Sequence, residues 1–555
     1  MNYKWQIPGK ANSQVEILRY ITKERGFSNE QMKSFITTIQ KPHDPFLFST
    51  MKPVVERIKS AIANNEIICI IGDYDCDGVT STYTLYSGLK YMRANVIYKL
   101  PHRVHNGYGL KEPLVDFAKA NGATLIITVD NGVAAVSAVE YAKSLNIDVI
   151  ITDHHEPQET LPDCLIINPK VNTEYPFEGL CGCGVAFKLV SALIDNFEQT
   201  DLYNHLLEIV AIGTVADAMD IVDENRTFVI EGLKRLQNST NIGIRNLFIA
   251  AGLEGKKISA ETIGFFIGPN INATGRVDSP EIALNLLLSD DSFEASKYAK
   301  KVLSLNELRK NLQKAAIESL VVDDNDQCII STIDNVNAGI AGIVAAKVVD
   351  TYHKPCFILH EGHGNKEILS GSGRTFGDFN IMDCVVKNKH IVEGGGGHKG
   401  ACGVAVKAER LELFKAACNN EFEEWMKNNP DCMTPTLNCT CEVDLQNVNM
   451  RLSNNIDRLK PFGPGNPEPI FVTRNVNVKQ SKVVGKNANV LQLTVEQGFT
   501  SIACVAFESV KEKFLELGSP KQLDIMYSVG LNEWPVGEFK VQLNIIDIID
   551  RTNEW

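Results

Sequence analysis

The hydrophobic rhythm of the chain changes three times. From about residue 51 to 235, short apolar runs alternate with stretches of helical periodicity. The runs are Ile67–Ile71, Val96–Leu100, Leu125–Val129, Val149–Ile151 and Cys164–Ile167. Runs that are apolar on both faces and separated by helices predict a parallel sheet. Residues 236–320 read as helices, with an interruption at Gly268-Pro269-Asn270-Ile271-Asn272-Ala273-Thr274-Gly275-Arg276 and a long connecting helix through Ser304–Arg309. A second α/β unit follows over 321–430, with strands at Gln327–Ser331, Cys356–His360 and Glu367–Gly371. From 436 to 555 short alternating strands take over, at Ile470–Val478, Val490–Val495, Ser501–Ala506, Leu523–Val529 and Phe539–Ile548. Such alternation between turn signals predicts a small closed β-barrel of the OB-fold type. Residues 1–50 read as a helical segment with no legible chemistry. The expected fold class is therefore α/β, with two α/β lobes joined by a long helix and a C-terminal OB-fold-like barrel.

Parallel sheets place their sites at the carboxyl ends of the strands, and here those ends are acidic. Ile67–Ile71 runs into Gly72-Asp73-Tyr74-Asp75-Cys76-Asp77-Gly78, Leu125–Val129 into Asp130-Asn131-Gly132, and Val149–Ile151 into Thr152-Asp153-His154-His155. Asp217 closes the segment Ile212-Gly213-Thr214-Val215-Ala216-Asp217 after an apolar helical run. One acidic turn alone fits a solvated loop as well as a metal site. The start of a calcium-hand loop is excluded, because the position of its terminal bidentate glutamate is not acidic. Several acidic turns at neighbouring strand ends would repel one another unless divalent cations lay between them. Asp73, Asp75, Asp77, Asp130 and Asp217 with His154 could ligate two metals, the arrangement of two-metal phosphoryl hydrolysis. Oxygen-rich ligation suits Mg²⁺ or Mn²⁺, and the imidazole leans toward Mn²⁺. His155 is then left to hydrogen-bond the phosphate or act as a general acid.

Composition narrows the setting. At 555 residues with 44% apolar content, the chain should hold two to four domains with real cores. The start Met1-Asn2-Tyr3-Lys4-Trp5 lacks a signal-peptide core, and no apolar run reaches the roughly 20 residues of a membrane span. A cytoplasmic protein without a membrane partner is expected. Most of the 14 cysteines, among them Cys69, Cys356 and Cys504, sit in apolar runs and read as buried thiols in a reducing compartment. Cys432, Cys439 and Cys441 lack a fourth ligand at zinc spacing, Cys181-Gly182-Cys183 reads as a turn, and no phosphate-binding loop signature is present. The net charge of -13 opposes a polyanionic partner. Part of that charge is the acid cluster, which metals would offset, and the segment Arg451–Lys486 is locally basic.

Taken in order, Asp73-Tyr74-Asp75-Cys76-Asp77-Gly78, Asp130-Asn131-Gly132, Asp153-His154-His155 and Gly213-Thr214-Val215-Ala216-Asp217 resemble the four motifs of the DHH phosphoesterase superfamily. Other segments resemble its RecJ-type branch of single-strand-specific 5′→3′ exonucleases. They are Pro101-His102-Arg103, Gly107-Tyr108-Gly109-Leu110, Pro269–Arg276, Gly371-Ser372-Gly373-Arg374, Gly396–Gly403 and Pro461–Pro467. The resemblance spans about residues 45 to 550. It implies Asp73, Asp75, Asp77, Asp130, His154 and Asp217 as ligands of two Mn²⁺ or Mg²⁺ ions, with His155 and Arg276 in catalysis. It also implies that Arg103, Ser372 and Arg374 hold a terminal 5′-phosphate and that Tyr108 offers an aromatic face to the entering strand. Arginine forks suit phosphate, an aromatic ring stacks any base, and the run Gly394–Gly397, with Gly396 and Gly397 next to His398, suggests an anion-binding nest for the DNA backbone. Gly373, Thr375 and Asn106 depart from the usual alanine, serine and glutamate of the family. A DHHA1-type second lobe, at 321–430, follows a catalytic domain at 51–235. The expected activity is degradation of single-stranded DNA to mononucleotides in recombination and repair, by a monomer, with a helicase and a single-strand-binding protein as candidate partners. Two rivals remain: a phosphodiesterase for short oligonucleotides or cyclic dinucleotides, and an inactive single-strand-binding relative. The barrel and basic segment argue against the first, and the complete ligand set against the second.

Overall fold

Five strands form an all-parallel sheet in the spatial order Asn95–Lys99, Ile67–Ile71, Ala123–Val129, Asp148–Thr152, Leu165–Ile167. The computed structural model describes residues 3–552 apart from 104–106, 108, 324, 334–337, 363–364, 431, 433–434, 486 and 534–536. Side chains alternate across the sheet as strand geometry requires. Ile68, Ile70, Leu125 and Ile127 enter one core, while Cys69, Ile71, Ile126 and Ile151 enter the core on the other face. All of these are fully buried, which is why the strands read as continuous apolar runs. The strand order reverses between Ile67–Ile71 and Ala123–Val129, which makes a topological switch point. Open parallel sheets bind their ligands in the crevice at such a point.

The chain forms two compact units, Lys41–Met433 and a second that joins Met1–Gln40 to Thr434–Trp555. In the first unit, helices over 201–318 lead through the long Ser292–Glu318 helix to a second sheet. Its order is Val392–His398, Ala401–Lys407, Asn365–Arg374, Cys356–Gly362, Ile329–Thr332, antiparallel except for the last pair. Where the chain enters this unit, a buried ion pair fastens it: Lys188 Nζ lies 2.9 Å from Glu224 Oε2, and Glu224 also accepts from Tyr175 Oη and the His43 N–H.

In the second unit the strands Ile470–Val484, Val490–Gln497, Thr500–Phe507, Phe539–Asp550 and Gln522–Glu533 pair in that order. The last returns to the first, closing the expected barrel. Ile17 and Ile21, on the Gln14–Glu24 helix, lie in the barrel's core cluster.

Three expectations need correction. The N-terminal 50 residues are not a helical segment of their own. Lys4–Gln6 and Lys10–Ala11 are short strands paired with Thr436–Asn438 and Cys441–Val443, too short to leave a periodic signal, and residues from Lys41 onward belong to the other unit. Gly268–Arg276 does not interrupt the helices: Gly268–Val277 is a helix that follows a π-helical turn at Ile263–Ile267. Pro269 sits in its first turn, where a missing N–H costs little. The glycine run is an edge strand, Val392–His398, rather than a nest, because Gly394–Gly397 pair with Ala405–Cys402 in an extended ladder.

Candidate metal centre and phosphate site

The Cys76–Tyr91 helix begins directly after the first acidic strand end. Asp75 caps it, its Oδ1 accepting from the Gly78 N–H at 3.0 Å, which satisfies a donor the helix leaves unpaired. Gly78 must be glycine, since a Cβ there would fall 2.5 Å from the Asp73 carbonyl oxygen. Asp77 is thereby turned inward from the first helical turn. Asp130 ends its strand with φ 62°, a left-handed conformation that asparagine and aspartate tolerate better than other side chains. Asp217 follows the last residue of the Asp201–Ala216 helix.

These elements meet at His154. Its Nε2 lies 3.1 Å from Asp130 Oδ1, 3.6 Å from Asp217 Oδ2 and 3.8 Å from Asp77 Oδ2. Three overlapping groups result: the triads Asp77/His154/Asp217 and Asp73/Asp75/Asp130, and a third, Asp130/His154/His155, that overlaps both, each with its ligand atoms within 4.8 Å of one another. All six metal-ligand residues predicted from sequence are thus brought together. Burial first, and then neighbouring carboxylates, push Asp73 and Asp130 well above the usual range, Asp77 up to about 6 and Asp217 up to about 9. Burial holds His154 down at about 3, so its imidazole is neutral and available as a donor. Asp73 Oδ1 is buried without a hydrogen-bond partner. A neutral imidazole, an orphaned carboxylate oxygen and four carboxylates that resist ionising together fit divalent cations with oxygen-rich coordination.

Sequence reasoning passed over several residues that build this cluster. Asp153 is a buried acceptor for the N–H groups of Val133 at 2.9 Å and His154 at 2.8 Å, and for His155 Nδ1 at 2.7 Å. Burial lowers the His155 pKa, but the Asp153 hydrogen bond and charge outweigh it, so the net shift is upward. Asn131 donates to the carbonyls of Ile71 at 3.2 Å and Val129 at 2.9 Å, tying two acidic strand ends together. Cys181-Gly182-Cys183 is the start of the Gly182–Leu193 helix rather than a loose turn. Its Gly182 and Cys183 N–H groups donate to the two oxygens of Asp77 at 2.6 and 2.9 Å. The signal available was a glycine next to a helix start, with nothing local to name its acceptor.

Beside the acids lie the arginines. Arg103 Cζ stands 4.3 Å from the centre of the Tyr74 ring. Arg276, on the Gly268–Val277 helix, donates from Nη1 to the Gly339 carbonyl at 3.0 Å. Burial and then the Arg103 charge hold its pKa down at about 10. Arg374 and Ser372 share the strand Asn365–Arg374, and a Cβ on Gly342 would lie 3.0 Å from Arg374 Nη2 and 3.5 Å from Ser372 Oγ. Burial first lowers Arg374, and the Arg103 charge adds to that. Arg103 thus opposes both Arg276 and Arg374, and an anion beside it would relieve that repulsion. Tyr108 lies outside the described residues. Gly396, Gly397 and His398 are on the exposed edge strand of the second sheet, and no hydrogen bond or ion pair among the described residues joins them to the acids.

A doubly wound sheet with an acid–imidazole cluster at its switch point, followed by a glycine-rich second lobe, defines the DHH class. Residues 67–214 match the DHH family N-terminal domain, 325–424 the DHHA1 domain, and 439–547 the RecJ OB domain. The chain is 34% identical over 542 residues to the single-stranded-DNA-specific exonuclease RecJ of Bacillus subtilis, covering 96% of this chain and 67% of that protein. It is 28% identical to the RecJ of Haemophilus influenzae, covering 99% of each. A manganese-bound exonuclease RecJ structure superposes with a TM-score of 0.60 at 30% identity, over 67% of this chain and 94% of that one. The Mn²⁺ complex of RecJ from Thermus thermophilus shares the fold over 98% of this chain and 79% of that one, with a TM-score of 0.80 at 24% identity. The chain belongs to the RecJ family.

Proposed function

We propose that the protein is a metal-dependent exonuclease that removes mononucleotides from the 5′ end of single-stranded DNA. The observation that carries this reading is the convergence of Asp77, Asp130 and Asp217 within 3.8 Å of His154 Nε2. Asp73, Asp75 and Asp130 would hold one cation and Asp77, His154 and Asp217 the other. Bound Mn²⁺ or Mg²⁺ would polarise the phosphoryl group and lower the pKa of the attacking water. His155, kept protonatable by Asp153, offers its proton to the departing oxygen. Arg276 offers its fork to the scissile phosphate, while Arg103, Ser372 and Arg374 grip the terminal phosphate. The backbone along Gly396–His398 and the barrel, whose basic strand carries Arg474, Lys479 and Lys482, would hold the strand without reading its sequence. Among the described residues no helix is long and apolar enough to cross a membrane. We further infer a cytoplasmic monomer, with a helicase and a single-strand-binding protein as candidate partners in recombination and repair.

The test is a substrate panel: single strands labelled at the 5′ or 3′ end, matched duplex, and dinucleotides, each with Mn²⁺ or EDTA. The 5′ label should appear first as a mononucleotide, from single strands only and only with metal. Cleavage confined to dinucleotides, or binding without cleavage, would replace this reading with a small-substrate phosphodiesterase or an inactive binding protein.

A further inference from the structure

Tyr74 stands between Asp73 and Asp75, and none of the roles above uses it. Its partly buried ring lies under the Arg103 guanidinium, with Cζ 4.3 Å from the centroid. That is well within the range over which a ring face attracts a cation. Its carbonyl oxygen abuts Gly275, where any Cβ would collide with it, so the acidic turn packs against the residue before Arg276. One residue therefore shares the turn of the metal ligands, touches one arginine and lies against the backbone beside another.

Residues 100–103, which follow the strand Asn95–Lys99 and end in Arg103, lie outside any helix or strand. A long side chain on such a stretch has many rotamers to lose when it binds an anion. The other arginines add to this difficulty, because the Arg103 charge opposes those of Arg276 and Arg374. Without a local anchor the guanidinium would swing away from them. The Tyr74 side chain supplies that anchor, through its ring face and a hydrogen bond from Arg103, and it stands between two of the metal-ligand aspartates in the acidic turn.

We propose that Tyr74 is a positioning residue for the 5′ end: stacked against Arg103, it fixes that guanidinium at a set distance from the carboxylate cluster. The distance between the gripped terminal phosphate and the scissile bond is then built into one turn of the chain. End recognition and cleavage register become a single property. This rests on the reading that Arg103, Ser372 and Arg374 hold a terminal phosphate.

The test compares Tyr74→Phe, Tyr74→Leu and Arg103→Ala on single strands carrying a 5′-phosphate or a 5′-hydroxyl, with KM and kcat measured separately. Tyr74→Phe keeps the ring face but loses the hydroxyl that accepts a hydrogen bond from Arg103, so its KM for the phosphorylated strand should lie between those of the parent protein and Tyr74→Leu, with the hydroxyl strand within about twofold of the parent. Tyr74→Leu should raise KM for the phosphorylated strand by about five- to twentyfold, leaving the hydroxyl strand and kcat at saturation within about twofold. Equal losses on both strands, or an unchanged KM for the phosphorylated one, would overturn the proposal while the phosphate-site reading stands if Arg103→Ala abolishes the discrimination. An Arg103→Ala protein that still discriminates would overturn both. If Tyr74→Leu folds poorly, a series of progressively fluorinated phenylalanines at position 74 keeps the shape and weakens the ring's negative face. KM for the phosphorylated strand should rise along the series, and a flat series contradicts the proposal.

Discussion

The N–H of Gly182 donates to Oδ2 of Asp77 at 2.6 Å, across 105 residues of sequence. The same glycine leaves no room for a side chain, since a Cβ on it would fall 2.5 Å from Asp130 Cβ. Gly182 thus spaces two carboxylates that belong to different cation triads. The start of its helix also favours the negative charge of Asp77.

Replacing Gly182 with alanine should therefore weaken Mn²⁺ binding by about 10- to 100-fold, the scale of losses when residues that orient metal ligands are changed. Gly184→Ala, in the same helical turn but against Leu180, should bind nearly as the parent protein does. Isothermal titration with Mn²⁺ distinguishes the two. Equal affinities for Gly182→Ala and the parent protein would contradict the spacing role.

The metal-free protein should lose stability as pH rises. Asp77 is raised to about 6 and Asp217 to about 9, burial being the main cause for each. Their unfolded values lie near 3.9. A carboxyl raised in the folded state stabilises fully below its unfolded pKa, and that contribution is lost as pH climbs through the folded value. The Tm in EDTA should thus fall from about pH 4 to 9, most steeply below 6 where both groups contribute, and the increment added by Mn²⁺ should grow over the same range. An increment that shrinks with pH would contradict this account of the cluster.

Arg276→Lys keeps a positive charge but loses the planar fork. A loss in kcat on the order of 100-fold is expected, as for removal of one transition-state donor. Burial already holds the arginine at about 10, so a lysine there should lose its proton more readily and the defect should deepen at alkaline pH. Steady-state rates across pH 7 to 9.5 measure both effects.

Lys188 and Glu224 test the frame rather than the chemistry. Their side chains are 2% and 0% exposed, so Lys188→Met strands a buried carboxylate and should cost about 3–5 kcal/mol in urea unfolding. Lys188→Met with Glu224→Leu should recover much of that loss.

How much of this was legible in the sequence depended on distance along the chain. Strands such as Ile67–Ile71 announced themselves because both faces are buried, and Asp73, Asp130 and His154 stood out because each follows such a run. The membership of the acid cluster was therefore written in the local sequence. The hand of Gly182 on Asp77 could not, since a glycine between two cysteines carries no local sign of a distant acceptor. The Gly268-Pro269 pair suggested a break because proline inside a helix removes a hydrogen bond and clashes with the preceding turn, but here it occupies the first turn. Four glycines suggested a nest, yet their backbone found a strand partner in Ala401–Lys407, and pairing outweighed their conformational freedom. The Lys4–Gln6 strand exists only through Thr436–Asn438, more than 400 residues away.

If the carboxylates around His154 drive cleavage of single-stranded DNA, Asp130→Ala must separate cleavage from binding. Asp130 joins the two triads through its 3.1 Å contact with His154, while the arginines lie outside both. Mononucleotide release and single-strand affinity should be measured on the same preparation, the first with Mn²⁺ and the second in EDTA. Release should fall to background while affinity stays within about threefold of the parent protein, because the arginines and barrel are untouched. An Asp130→Ala protein that cleaves single strands at the parent rate would contradict that role of the carboxylates.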